Sequence, residues 1–287
     1  MVTPFQGNHT SLGPRSSKSF IPDHQTAFYI PDIVVGDYGQ DNVTIAGLVL
    51  DTYKLGVASD DSSQLSKAPF DGIMGLGLQV SSSRCVCIST TYTSPVQPLS
   101  KDNISTPVQA LATNNLIQHA IASFKTPRLA DQLDDGEVTF GGLDATKFDP
   151  KTLVTIPNVN QRGLWEGTMD AITINDIVTS LVKPTALFDT SIPLILTPPQ
   201  HAQYVMERLG GTCNMTQCTT PCTTQASLAL SFGNASFAID PRDLAILPIN
   251  PTDPTGNCTA GIQPNPNTKV TQWLVSDACP SLLGRRP

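Results

Sequence analysis

Proline and glycine interrupt this sequence so often that long helices are excluded from most of it. The 287 residues include 24 Pro and 20 Gly, and both residues favour turns. The apolar runs between these turn residues are short, which is typical of strands. With 39% hydrophobic residues the chain can bury a sizeable core, and its length suits two lobes or one large β domain. We therefore expect an all-β fold with few short helices.

The charge of the chain excludes one broad class of function. Only 14% of the residues are charged, the formal net charge is -7, and the sequence pI is about 4.9. A nucleic-acid-binding protein needs a basic surface to neutralise phosphates, and this composition offers none. An acidic or extracellular setting fits better.

Cysteines and glycosylation sequons favour the secretory route. The chain has seven Cys, and Asn-X-Ser/Thr sequons occur at six positions: Asn8, Asn42, Asn103, Asn214, Asn234 and Asn257. The amino-terminal residues lack the apolar core of a signal peptide, and no stretch approaches the 18 apolar residues of a membrane span. We therefore expect an extracellular protein whose beginning is absent from this chain.

Several segments predict local structure. Apolar residues around the turn-forming segment Gly36–Asn42 predict a β-hairpin with its tip there. The three glycines of residues 70–77 indicate close backbone approach or positive φ rather than a plain strand. Helical spacing of apolar residues predicts a helix over Val108–Phe124. Residues 136–144 and 165–174 have the pattern of strands bounded by turns.

One apolar strand delivers an aspartate into a turn. Phe188 is followed by Asp189, Thr190 and Ser191, after which the sequence becomes apolar again. Asp, Thr and Ser favour turns through local side-chain hydrogen bonds, so the triplet alone has an ordinary structural explanation.

The neighbouring blocks give this triplet a second interpretation. The order of the segments resembles that of pepsin-like aspartic peptidases, most of all the secreted fungal members, over residues 34–277. The segments are the hairpin with Tyr38, Ala-Pro-Phe-Asp-Gly-Ile-Met-Gly-Leu-Gly at 68–77, Val-Thr-Phe-Gly-Gly-Leu-Asp at 138–144, Leu-Trp-Glu-Gly at 164–167 and Phe-Asp-Thr at 188–190. The resemblance implies a bilobal all-β fold, with an incomplete amino-terminal lobe at 1–157 and a carboxy-terminal lobe at 158–287.

The resemblance also implies roles for individual residues. Asp189 matches a catalytic aspartate, with Thr190 and Ser191 beside it at the substrate. Tyr38 matches the flap tyrosine that covers the substrate. Residues 73–75 and 274–276 match the two hydrophobic-hydrophobic-Gly segments through which the catalytic loops are threaded, although Ser276 replaces the glycine of the second.

The family's chemistry needs two aspartates, and this chain supplies only one. Two carboxylates about 3 Å apart share a proton, so that one acts as base toward a water and the other as acid toward the scissile carbonyl. Apart from the Asp-Thr-Ser at 189–191, no Asp-Thr/Ser-Gly triplet occurs; Asp51 is followed by Thr52 and Tyr53, where glycine is required. We expect the chain to be cut short at both ends, with the first aspartate preceding Met1, and to be inactive on its own.

The second-lobe turn departs from the family in ways that admit another function. Ser191 stands where glycine is usual, and Ile192 stands where a hydroxyl often bonds the carboxylate. A non-catalytic relative that binds a protein or glycan is therefore the alternative to an endopeptidase.

Cysteine pairing and ligands complete the expectations. The resemblance implies a disulfide between Cys222 and Cys258, and Cys213 with Cys218 is a plausible small loop. The partners of Cys85, Cys87 and Cys279 stay open. A zinc site of Cys213, Cys218, Cys222 and His201 lacks paired Cys-X-X-Cys spacing. We expect a monomer that acts on a polypeptide substrate without metal, cofactor or nucleic acid.

Overall fold

The residues that the structure describes are mostly β structure with three short α-helices. The computed structural model describes residues 12–30, 34–61, 70–77, 104–161, 163–181, 184–190 and 192–275. Among these residues the strands are β1 (Ile21–Ile30), β2 (Val34–Ile45), β3 (Leu48–Asp61), β4 (Ala122–Lys125), β5 (Glu137–Phe140), β6 (Glu166–Thr168), β7 (Ala171–Ile174), β8 (Ile177–Val178), β9 (Thr185–Phe188), β10 (Ile195–Thr197), β11 (Thr212–Cys213), β12 (Cys218–Pro221), β13 (Leu228–Phe232), β14 (Ala235–Ile239), β15 (Ala245–Pro248), β16 (Asn257–Ala260), β17 (Ile262–Pro264) and β18 (Trp273–Val275). The helices are α1 (Pro107–Thr113), α2 (Pro199–Arg208) and α3 (Pro241–Leu244). The predicted all-β fold class is confirmed.

The described residues divide into two compact units. The first contains the residues up to Ile121 together with Phe140–Gly142 and Gln161–Gly163, and the second contains the rest. The predicted lobe boundary between residues 157 and 158 stays a prediction. No helix among the described residues is long and apolar enough to cross a membrane.

The first unit is built on an antiparallel sheet in which β2 lies between β1 and β3. Ala46 and Gly47 join β2 to β3, with φ of 50° and 81°, and positive φ at both turn residues is typical of a type I′ hairpin. Leu50, only 2% exposed, packs with Leu111 of α1 in a small core.

The hairpin tip lies further along the chain than the sequence predicts. Gly36–Asn42 belongs to β2, and its residues pair with β1 and β3. Packing explains the glycine at position 39, because a Cβ there would lie 2.5 Å from the ring of Phe20. The predicted tip was therefore wrong, although the hairpin itself is present.

The predicted helix over Val108–Phe124 is wrong beyond Thr113. Thr106 and Gln109 form a capping box at the start of α1, and Asn114 ends the helix with its N–H bonded to the carbonyl of Ala110. Asn115 follows with φ of 57°, outside the helical region. The later apolar residues are partly exposed, and Ala122–Lys125 forms a strand.

Two other predictions from the sequence have different outcomes. Strands do occupy parts of residues 136–144 and 165–174, as predicted. Residues 70–77 form no strand, but at Gly72 neither predicted reason for glycine holds. A Cβ at Gly72 would have no neighbour within 4 Å, and its φ lies outside the positive region.

The second unit holds the main core and three larger sheets. A mixed sheet has the order β17-β10-β18-β9-β6, and two antiparallel sheets have the orders β11-β12-β16-β15 and β14-β13-β7-β8. The core contains fully buried Met169, Val205, Leu230, Ile262 and Trp273. The mixed sheet is the one that carries Asp189.

Gly261 has the least room for a side chain among the glycines of this unit. A Cβ at Gly261 would lie 2.0 Å from the backbone oxygen of Asp243. The backbone cannot easily move away, since the Gly261 N–H bonds the Leu244 carbonyl at 3.0 Å and its carbonyl accepts from the Ile195 N–H at 2.9 Å. We expect Gly261→Ala to lower the free energy of unfolding by about 1 to 3 kcal/mol through overpacking, as measured by urea denaturation.

The control for this prediction is Gly142→Ala. A Cβ at Gly142 has no neighbour within 4 Å, so we expect a change within about 0.5 kcal/mol. Equal unfolding midpoints for the two variants would contradict the close approach at Gly261.

Candidate active site

Asp189 lies at the end of a strand that is held on both sides. β9 pairs in parallel with β18 and antiparallel with β6. The Asp189 N–H donates to the carbonyl of Val275 at 3.1 Å, and the Phe188 N–H donates to the carbonyl of Trp165 at 2.8 Å. The segments on both sides of β9 therefore fix the backbone up to Asp189.

The Asp189 side chain is removed from water. At 2% exposure it has the lowest exposed fraction of the carboxylates that the structure describes. Ile192, 8% exposed, closes the turn with its N–H 3.5 Å from the Asp189 carbonyl, whereas Thr190 is exposed. Burying an ionisable group costs free energy unless the group is paired or hydrogen-bonded.

The strand beside Asp189 comes from the segment that matched the second threading loop. Leu274 lies beside Leu187 on one side and Leu196 on the other. Val275 is 1% exposed, so the apolar residues of this segment belong to the core. In the first unit the matching residues Ile73 and Met74 are 53% and 46% exposed. Ser276 lies outside the described residues.

Trp273 anchors this strand through a histidine. Its indole Nε1–H donates to Nδ1 of His201 on α2 at 3.0 Å, and Trp273 is fully buried. An imidazole nitrogen that accepts carries no proton, so His201 is neutral with its proton on Nε2. Burial lowers the pKa of His201 below its ordinary value.

This contact predicts a pH-dependent stability. Because the pKa of His201 is lowered in the folded state, its contribution to stability is present above the unfolded value of about 6.5 and is lost as pH falls from there toward the folded pKa. Glutamine can accept the same hydrogen bond without titrating. We expect the unfolding midpoint of His201→Gln to fall less between about pH 7 and pH 5 than that of the unchanged protein.

The exposed His119 supplies the control, since it lies outside this contact. The pH dependence of His119→Gln should match that of the unchanged protein in thermal unfolding. If His201→Gln also matches it, the neutral His201 contact is wrong.

A polar cluster beside β9 was missed by the sequence analysis. Glu166 is 8% exposed, and its carboxylate accepts from the Thr185 hydroxyl and from Nδ2 of Asn160 at 2.6 Å. The Glu166 N–H donates to Oδ1 of Asn158 at 3.1 Å. Through Glu166, these bonds tie Asn158 and Asn160 to Thr185 of β9. The Leu164–Gly167 block was recognised, but polar residues this far apart in sequence gave no signal of contact.

The other residues predicted to line the site are Tyr38, Thr190 and Ser191. Tyr38 is 5% exposed within the three-stranded sheet, with Nζ of Lys54 5.0 Å from the centre of its ring. Ser191 lies outside the described residues. The substrate-binding roles of Tyr38, Thr190 and Ser191 stay predictions.

Two disulfides are present among the described residues. Cys222 is joined to Cys258, the pair that the resemblance implied, and Cys213 is joined to Cys218. Three of the four residues of the zinc site that the sequence spacing disfavours are therefore used in disulfides. Cys85, Cys87 and Cys279 lie outside the described residues.

Comparison with known proteins points to one family. A family model described as eukaryotic aspartyl protease matches residues 7–278. The aspartic-type endopeptidase ctsD of Aspergillus fumigatus is 28% identical over 242 residues, which are 82% of this chain and 46% of that protein. The probable aspartic-type endopeptidase CTSD of Arthroderma benhamiae is 27% identical over 276 residues, 94% of this chain and 49% of that protein. Rhizopuspepsin of Rhizopus chinensis is 27% identical over 260 residues, 88% of this chain and 59% of that protein. The chain thus spans about half the length of these relatives.

Proposed function

The chain belongs to the eukaryotic aspartyl protease family, and on that premise we propose that Asp189 supplies one of two carboxylates that hydrolyse peptide bonds in a polypeptide substrate. The resemblance found in the sequence is confirmed by the family match. The observation that supports this role for Asp189 is a buried carboxylate at the end of a strand that is paired on both sides.

The proposed reaction passes a proton between two carboxylates. The ionised carboxyl takes a proton from a water, whose oxygen attacks the scissile carbonyl carbon, while the protonated carboxyl donates to the carbonyl oxygen. The tetrahedral diol then collapses: one of its hydroxyls returns a proton to the carboxylate that had donated one, the C–N bond breaks, and the nitrogen takes the proton that the other carboxyl had removed from the water. Low exposure of Asp189 strengthens its interaction with a partner carboxyl, because the local dielectric is low. This chemistry uses neither metal nor organic cofactor.

We propose that this chain alone does not cleave peptides. Its 287 residues contain no Asp-Thr/Ser-Gly triplet beside the Asp-Thr-Ser at 189–191, and a single carboxyl cannot serve as base and acid in the same step.

A non-catalytic relative that binds a protein or glycan is the second candidate. The supporting observation is Ile192, which is 8% exposed directly after the Asp189 turn. A buried isoleucine offers no hydroxyl to the carboxylate at the position where relatives often have one. Such a departure weakens the case for catalysis without disturbing the fold.

The test compares this chain with the full translation product of its gene. Cleavage of a denatured protein is measured at about pH 3 to 5, where an aspartate pair holds one proton, with and without a statine inhibitor. We expect inhibitable cleavage by the full product and none by the 287-residue chain. Asp189→Asn should abolish cleavage, and the exposed Asp176→Asn should leave it unchanged.

Each outcome separates the candidates. A folded full product without cleavage contradicts the endopeptidase and favours the binding relative. Cleavage by the 287-residue chain that depends on Asp189 contradicts the proposed inactivity alone.

We also propose a monomeric protein of the secretory route. Both disulfides described above need an oxidising compartment, and the sequons agree with that route. Size-exclusion chromatography with light scattering tests the monomer, and a dimer mass contradicts it.

A further inference from the structure

The turn around Asn214 is a sequon that projects from the fold. Asn214, Met215 and Thr216 lie between β11 and β12, in the short loop that the Cys213–Cys218 disulfide closes. Asn214 and Thr216 are exposed, and Met215 is 61% exposed. The whole triplet is therefore accessible to an enzyme that modifies it.

The hydrogen bonds of this turn leave the amide nitrogen available. Oδ1 of Asn214 accepts from the Thr216 N–H at 2.8 Å, from the Thr216 hydroxyl at 2.9 Å and from the Gln217 N–H at 2.8 Å. Within the described part of the chain, Nδ2 of Asn214 donates to no protein atom. A sugar on Nδ2 leaves the carbonyl oxygen in place, so all three bonds survive the modification.

The other sequons that the structure describes differ in one respect. Their hydroxyl residues lie inside paired strands, since Thr44 is opposite Val49, Ser236 is opposite Ser231 and Thr259 is opposite Thr219. In addition, the middle residue of the Asn257 sequon is Cys258, which is 3% exposed and bound in a disulfide. Among these four sequons, Asn214 is the one whose triplet lies wholly outside a strand.

We propose that Asn214 carries an N-linked glycan. The proposal rests on the secretory route proposed above. In the transfer, Nδ2 forms a bond to the anomeric carbon of a lipid-linked diphospho-oligosaccharide. The bond between that carbon and the diphosphate oxygen breaks, and its electron pair leaves with the diphosphate. The amide loses one proton to the transferase. Because the triplet stays accessible after β11 and β12 have paired, transfer is not confined to the unfolded chain.

To test this, the chain is fused to a cleavable amino-terminal signal sequence and secreted by a eukaryotic host. Enzymatic removal of N-glycans in heavy-oxygen water converts each occupied asparagine to labelled aspartate, and peptide mass spectrometry gives the occupancy of every sequon. We expect Asn214 to be occupied in most molecules. Thr216→Val should abolish occupancy at Asn214, whereas Thr216→Ser should keep it.

A second variant separates modification from folding. Asn214→Asp keeps an oxygen that accepts the three bonds of the turn but has no amide nitrogen to modify. We expect N214D to fold with unchanged thermal stability when made without glycans, and to lose one glycan from its mass when secreted.

The outcomes are distinct from those of the protease assay. Label at another sequon with none at Asn214 overturns this proposal, and so does an absence of label at every sequon. Because the added signal sequence imposes secretion, neither result contradicts the proposed secretory route. Neither result bears on peptide cleavage, which is measured separately.

Discussion

Replacing Trp273 by alanine is expected to lower the free energy of unfolding by about 3 to 5 kcal/mol. The side chain is fully buried in the core of the second unit, so its removal loses apolar burial and leaves a cavity. Truncation also removes the N–H that bonds His201. Since β18 supplies the carbonyl that holds Asp189, the loss should be felt at the candidate catalytic turn as well as in the core.

The second tryptophan of the chain is the matched control. Trp165 is 43% exposed, and its backbone carbonyl, which holds Phe188, survives a side-chain replacement. We expect Trp165→Ala to cost less than about 1 kcal/mol. Urea unfolding followed by far-ultraviolet circular dichroism measures both variants. Similar costs for the two would be inconsistent with Trp273 as a core anchor.

Replacing Cys222 and Cys258 together by alanine is expected to cost roughly 3 to 4 kcal/mol. The bond closes a loop with a sequence separation of 36 residues, and the entropy that such a closure removes from the unfolded chain grows with loop length. The bond also joins the residue that directly follows β12 to β16, and these two strands pair within one antiparallel sheet. Denaturant unfolding of the doubly substituted protein measures this cost.

The smaller disulfide provides a comparison within the same sheet. Cys213 and Cys218 have a sequence separation of 5, so their joint replacement by alanine should cost only about 2 kcal/mol. Each pair has one buried cysteine, Cys218 or Cys258, and side-chain burial therefore contributes similarly to both. Equal costs would show that loop closure is not the main source of stabilisation.

Local patterns in the sequence predicted the strand before Asp189 better than they predicted the elements of the first unit. An apolar strand ending in Asp189 is a short-range pattern, and β9 is present as expected. The helix over Val108–Phe124 failed because apolar spacing cannot show that Asn114 and Asn115 stop the helix. Leu116 and Ile121, which carried that spacing, are 37% and 39% exposed.

Contacts between residues far apart in the chain could not be predicted from the sequence, for a physical reason. Pairing of β9 with β18 joins residues far apart in the chain, and no local propensity specifies such a partner. The resemblance identified Leu274 and Val275 as part of a threading segment. No pattern in the sequence indicated that Trp273 forms a hydrogen bond with His201. Burial of Glu166 was equally hidden, because its amide and hydroxyl partners lie on separate segments.

The pairing of β9 with β18 also sets an order of events during synthesis. Asp189 leaves the ribosome long before Val275, the residue whose carbonyl fixes its backbone. At about 5 to 20 residues per second, several seconds of translation separate the two. During that interval the β18 edge of β9 is open, and the nascent chain has a carboxylate without its final surroundings. Burial of Asp189 is thus a late step of folding. Its timing depends on the rate of translation as well as on the rate at which the strands fold.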